Sequence, residues 1–207
     1  TAGEFLKVDS VSGSGTSGIG TMTFADAGGG AFEKISTTTV SSSTATVEFA
    51  TLSTDYKDFR VIVSKMTQDT HQNYMQCRVK KSGQSSFASG GSDYLFINFG
   101  HDSDGNSRTN RSTGGDAIQF TPTNMARPAT VTGANHNFII DFFDVHSTDN
   151  DKQIFSKTTF TEGNYGRAAV GMLGAYSNFQ DAIIGLQFSM TTGNFLKANF
   201  TLYGRKI

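Results

Sequence analysis

At 207 residues the chain has the length of one domain, and 22 Ser, 26 Thr and 23 Gly fill about a third of it while Asp, Glu, Lys and Arg make up only 17%; that composition excludes helical bundles and coiled coils. Seventeen basic against eighteen acidic residues leave a formal charge of −1 with no basic run, so no nucleic-acid partner is expected, since that affinity rests on clustered cations. Cys77 stands alone and forbids an internal disulfide, and apolar stretches such as Phe138–Phe143 fall far short of the roughly 20 residues that span a bilayer, so no membrane partner is expected either.

The first 30 residues carry SVSGSGTSGIG at Ser10–Gly20 and ADAGGG at Ala25–Gly30, with no sustained periodicity. They predict an extended N-terminal arm over 1–30 ahead of a domain over 31–207, and Thr1–Ser10 shows no apolar core of a signal peptide. Fixing such an arm costs about 1 to 2 kcal/mol of backbone entropy per residue, so its few apolar residues should be anchors on a neighbouring subunit or another protein. They are Phe5, Leu6, Val8, Ile19, Met22 and Phe24.

From Ala31 onwards, short runs of β-branched and aromatic residues alternate with Gly, Asn, Asp and Ser. Strands are predicted near Phe32–Val40, Thr44–Ala50, Phe59–Thr67, Tyr74–Lys80, Tyr94–Phe99, Ala117–Thr121, Asn137–Val145, Ile154–Phe160, Ala168–Ala175, Ile183–Met190 and Ala198–Gly204. Alternation sets Phe59, Val61 and Val63 on one face, and likewise Met75, Cys77 and Val79; it predicts Ile184, Leu186, Phe188 and Met190 turned inward together. Phe138–Val145 is apolar on both faces except at Asp141 and Asp144, which predicts a place at the centre of a sheet. No window supports an amphipathic helix, and Asn178–Ala182 offers at most one turn. The expected fold is all-β, an antiparallel β-sandwich of jelly-roll type.

Few residues are spaced for catalysis. Gly13, Gly15 and Gly18 satisfy G-x-G-x-x-G, but their Ser-rich flanks suit a linker better than a dinucleotide loop between strand and helix. His71, His101, His136 and His146 fall on separate segments without an i, i+4 pair, and Cys77, alternating with Met75 and Val79, reads as an inert buried thiol. The sharpest local chemistry is HDSDGNS, His101–Ser107, where Asp102, Asp104 and Asn106 occupy alternate positions beside Gly105. Such spacing suits a calcium loop, although Ser107 and Thr113 replace the Gly and Glu of an EF-hand. A hairpin turn that uses Asp, Gly and Asn for their backbone tolerance explains the same residues and is the favoured reading. Asp144, Asp149 and Asp151 form a second acidic turn. For a glycan, Tyr94, Tyr165 and Tyr176 are candidate stacking residues, with Asn164, Asn178 and Asp181 as polar neighbours.

The closing stretch AIIGLQFSMTTGNFLKANFTLYGRKI, Ala182–Ile207, resembles the C-terminal signature of a family of tailed-bacteriophage virion structural proteins of marine-phage type, roughly A-I-x-x-I-x-F-x-x-S-S-G-N-x-x-x-G-T-x-x-LYG. Ala182, Ile183, Leu186, Phe188, Gly193, Asn194, Leu202, Tyr203 and Gly204 match, and Ala198 stands where Gly is usual. GGGAFEKISTTTVSSSTATVEFATLSTDYKDFRVIV is similar to the family's opening, with Y-x-x-[FY] at Tyr56 and Phe59, and HNFIIDFFDVHSTDNDKQIFSKTTF to its central hairpin. The resemblance covers about Gly28–Ile207. It implies a non-enzymatic structural protein located in the virion, decorating the capsid exterior or forming a tail or fibre module, with other virion proteins and further copies of itself as partners. It supplies no catalytic residues and no cofactor. The alternative expectation is a receptor-binding, lectin-like module for host surface glycans.

Overall fold

The computed structural model describes residues 4–12, 19–26, 31–164, 166–177 and 179–206. In chain order the strands are β1 Glu4–Ser12, β2 Ile19–Asp26, β3 Glu33–Val40, β4 Thr46–Phe49, β5 Asp58–Gln68, β6 Met75–Lys81 and β7 Tyr94–Asp102. They continue with β8 Ser107–Gly115, β9 Ile118–Gln119, β10 His136–Phe143, β11 Gln153–Thr161, β12 Ala168–Ser177, β13 Ile183–Met190 and β14 Phe195–Arg205. No helix occurs among the described residues, and each of the eleven predicted strands has its counterpart.

Antiparallel pairing builds an eight-stranded sheet, β3-β14-β5-β10-β11-β12-β7-β8, and a four-stranded sheet, β4-β13-β6-β9, packed together as a β-sandwich. Inward-facing residues alternate along each strand, as a pleat with one dry face requires: Phe59, Val61 and Val63 on β5, Phe138, Ile140 and Phe142 on β10, and Met75, Cys77 and Val79 on β6 are all buried. Phe188 of the small sheet joins the layers. Its ring centroid lies 5.4 Å from Phe200 on β14, 6.3 Å from Phe120 and 6.4 Å from Phe49. β10 lies inside the large sheet between β5 and β11, as its apolar character predicts. Its Asp141 sits opposite Arg60 on β5, which donates Nε and Nη2 to the two carboxylate oxygens at 2.6 and 3.0 Å.

Three expectations need correction. On β13 the register shifts between Ile183 and Gly185, so Ile183 takes the inner position with Leu186, Phe188 and Met190 while Ile184 is only half-buried; an extra residue in one strand inverts the parity on one side of it. Ser107–Gly115 is a strand at the sheet's edge, although its Ser, Thr and Arg residues carry no apolar alternation. Within the segment expected as an extended arm, Glu4–Ser12 and Ile19–Asp26 form an antiparallel two-stranded ribbon with Leu6 opposite Phe24 and Val8 opposite Met22. The eight-plus-four division of strands also differs from the eight strands and two Greek keys of a jelly roll.

Candidate functional site: the outer face of the large sheet

The face of the large sheet turned away from the small one is assembled by register. One row runs Phe99, Met172, Lys157, Ile139 and Ile62 across β7, β12, β11, β10 and β5. The next runs Ile97, Gly174, Phe155, Asp141 and Arg60, and a third, at the end of the sheet, runs His101, Val170, Thr159 and Asn137. Large apolar side chains stand in solvent along these rows: Ile97 and Phe99 are 51% exposed and Val170 54%, joined by Ile139, Phe143 and Met172. Large apolar side chains exposed this close together are uncommon on monomeric proteins.

Three hollows open along this face. One, of about 420 Å³, is lined by Ile97, Phe143, Phe155 and Gly174. Gly174 has no positive φ, and a Cβ added there would meet nothing within 4 Å. Neither backbone conformation nor internal packing therefore calls for glycine in this strand, where it is destabilising; an unforced strand glycine often marks the close approach of another group. A second hollow, of about 320 Å³, lies beside Ile62, Ile139 and Lys157. The third, of about 600 Å³, is bounded by the row of His101, Val170, Thr159 and Asn137 and by the loop Val131–Asn135.

The β7–β8 turn beside that end cavity holds the three residues of the calcium candidate. They come together around Asp102. Its buried carboxylate accepts the backbone N–H of Asp104 and Asn106 at 3.1 and 3.0 Å, the Asn106 amide, and Arg108 Nη2 at 2.8 Å, while Arg167 pairs with Asp104 at 2.6 Å. Burial works against the charged carboxylate, and these donors outweigh it, holding the pKa down at about 2. Gly105, at φ +79°, closes the turn. The groups turned toward Asp102 are N–H donors without a lone pair, and two guanidinium groups supply the positive charge. Calcium would have to displace both. Among the described residues no group of three or more His, Cys, Asp and Glu is arranged to hold a metal.

The other sequence candidates separate. Tyr94 is a core residue rather than a stacking platform: its hydroxyl donates to the Ala88 carbonyl at 3.0 Å and accepts from Val79 N–H at 2.9 Å. Tyr165, Asn178 and the glycines at 13, 15 and 18 lie outside the described residues, although strands rather than a strand and a helix flank those glycines. Asn164 accepts from Gln72 at 2.8 Å, and Asp181 is 4.0 Å from Lys81. His71 accepts from Arg127 N–H at 3.4 Å, His146 lies 3.1 Å from the Ser53 carbonyl, and buried His136 lies 2.9 Å from the Ala126 carbonyl and takes Thr161 N–H at 3.3 Å. Cys77 is buried, and burial pushes its thiol pKa up, away from the nucleophilic thiolate. Asp144, Asp149 and Asp151, together with Asp181, provide countercharge for Lys152, whose buried ammonium donates to the carbonyls of Asn150 at 2.6 Å and Gln180 at 3.2 Å and whose pKa burial lowers. The acidic turn thus lies near a buried lysine, a neighbour that spacing alone did not reveal.

Fold and surface together define an all-β sandwich with one apolar outer face. Compared with family models, with curated proteins and with solved structures, the chain matches none.

Proposed function

We propose that the protein is a non-enzymatic structural component of a tailed-phage virion, decorating the capsid exterior or forming a tail or fibre module, and that it works by packing against further copies of itself and other virion proteins. The observation that carries this reading is the outer face of the large sheet, where Ile97, Phe99, Ile139, Val170 and Met172 are exposed around an unforced glycine. Such a surface is suited to being covered in an assembly. The C-terminal resemblance supports the same reading from the sequence side. Immunogold labelling of intact particles of the encoding phage, with antibodies raised against this chain, is expected to decorate heads or tails; unlabelled particles that also lack the chain by mass spectrometry would refute it.

The end cavity favours a second reading, a lectin-like site for host surface glycans. His101, Asn137, Thr159 and Asn135 offer polar groups beside the apolar wall of Val131 and Val170, the mixture that sugar binding uses. Titration with host-surface oligosaccharides should then give binding that Asn137→Ala weakens; no heat with any oligosaccharide would remove this reading.

A further inference from the structure

We propose that the hollow at Gly174 receives the N-terminal ribbon of a neighbouring copy of the chain, so that β1 and β2 are exchanged between subunits; this rests on the assembly role above and names the partner of its surface. The ribbon needs cover. Its register pairs Leu6 with Phe24 and Val8 with Met22, and a lone two-stranded ribbon is marginal in water until it packs against something.

The receiving surface matches it in shape, position and charge. Gly174 leaves an open socket between its register partners Ile97 and Phe155. Phe32, which follows the ribbon closely in the chain, lies over the Arg60 guanidinium at 4.4 Å from its ring centroid, and Arg60 stands in the same outer row as Gly174, three strands away, about 14 Å at the usual strand spacing. The chain therefore enters its domain on the side that carries the socket. The segment 1–30 holds Glu4, Asp9 and Asp26 against Lys7, while the socket's surroundings hold Lys157, opposite Met172, and Arg111, opposite Ile97. Ile97, Phe99, Val170 and Met172 are exposed, and two copies meeting outer face to outer face would each cover the other's rows with its ribbon, closing a two-fold interface.

Two measurements on the full chain decide this. In the first, Phe24 is replaced by the photocrosslinker p-benzoylphenylalanine and the protein is mixed with an equal amount of 15N-labelled chain before irradiation. Crosslinked peptides joining residue 24 to Leu95–Phe99 or Val170–Gly174 of the opposite isotope are expected; links only within one isotope, or only to other surfaces, overturn the exchange. In the second, Gly174→Val fills the socket. Its melting temperature should be equal to or above that of the natural chain, because a β-branched residue suits a strand, while its self-association in sedimentation weakens at least tenfold. Unchanged self-association overturns the proposal. If crosslinks go elsewhere while the chain still assembles, the ribbon's role falls and the structural function stands; a chain monomeric at every concentration and missing from particles removes both.

Discussion

A methyl group at Gly204 would overlap the ring of Tyr56, and Gly204 pairs in register with Phe59. The Leu202-Tyr203-Gly204 and Tyr56-x-x-Phe59 segments quoted for the family resemblance are thus two halves of one packing contact. The Thr191–Asn194 turn is held in the same way: Asp69 accepts Asn194 N–H at 2.9 Å, and Asn73 bonds Thr191 and Thr192, around Gly193 at φ +73°. Gly204→Ala should therefore destabilise by about 1 to 3 kcal/mol in urea unfolding, as overpacking does, and should cost much less in a Tyr56→Ala background; an equal cost in both backgrounds would show that the ring is not the obstacle. His136 adds a pH dependence. Burial holds its pKa down at about 4, so between the ordinary value near 6.5 and 4 the unfolded chain binds a proton that the folded chain refuses. Stability is then fully present above about pH 6.5 and falls as the pH drops toward 4, by roughly 3 kcal/mol at 1.36 kcal/mol per pKa unit. His136→Gln should lose much of that slope between pH 7 and 4.5, and an unchanged slope would locate the titration elsewhere.

Element by element, period-2 reading placed the strands wherever one face of the strand is dry. It placed Leu186, Phe188 and Met190 correctly and failed at Ile184, because a bulge at the start of β13 hands the inner position to Ile183, and alternation carries no signal for an inserted residue. β8 escaped for a different reason. At the edge of the sheet its residues are exposed or half-exposed on both sides, so burial imposes no pattern, and Ser, Thr and Arg there read as loop. The calcium candidate and the turn shared the same residues in sequence; what separates them is Arg167, far away along the chain. The bulge makes a sharp contrast testable. Ile183→Asn, which buries an amide in the core, should destabilise by about 3 kcal/mol or more, whereas Ile184→Asn should change the urea midpoint by much less. A larger loss at Ile184 than at Ile183 would mean that Ile184 is the inward residue.

On the scale of the whole molecule, the candidate site was hidden in the sequence by the same feature that betrayed the fold. Apolar residues on both faces of Phe138–Val145 argued for a buried strand, and β10 is central, but the small sheet covers only one side of the large one. Ile139 and Phe143 on the other side, with Ile97, Phe99, Val170 and Met172, stand in solvent, and on the proposed reading other copies cover them. No one segment announces this, since the patch exists only once register sets β7, β12, β11 and β10 side by side. If the face is there to be covered, charging it should separate folding from assembly. Phe99→Lys and Val170→Lys replace side chains that are about half exposed and make few of the core's contacts, so the melting temperature of the double variant should stay within a few degrees of the natural chain. Self-association in sedimentation equilibrium should weaken by at least tenfold, about 1.4 kcal/mol, because two cations with no partner would be desolvated at the centre of the interface. Binding of a hydrophobic dye by the dilute natural chain should fall in parallel. A double variant that assembles as tightly as the natural chain would mean that the copies meet through another surface, with the Ser- and Thr-rich edges at β3 and β8 the next to be tested, since unpaired edge strands are the other route by which sandwiches join.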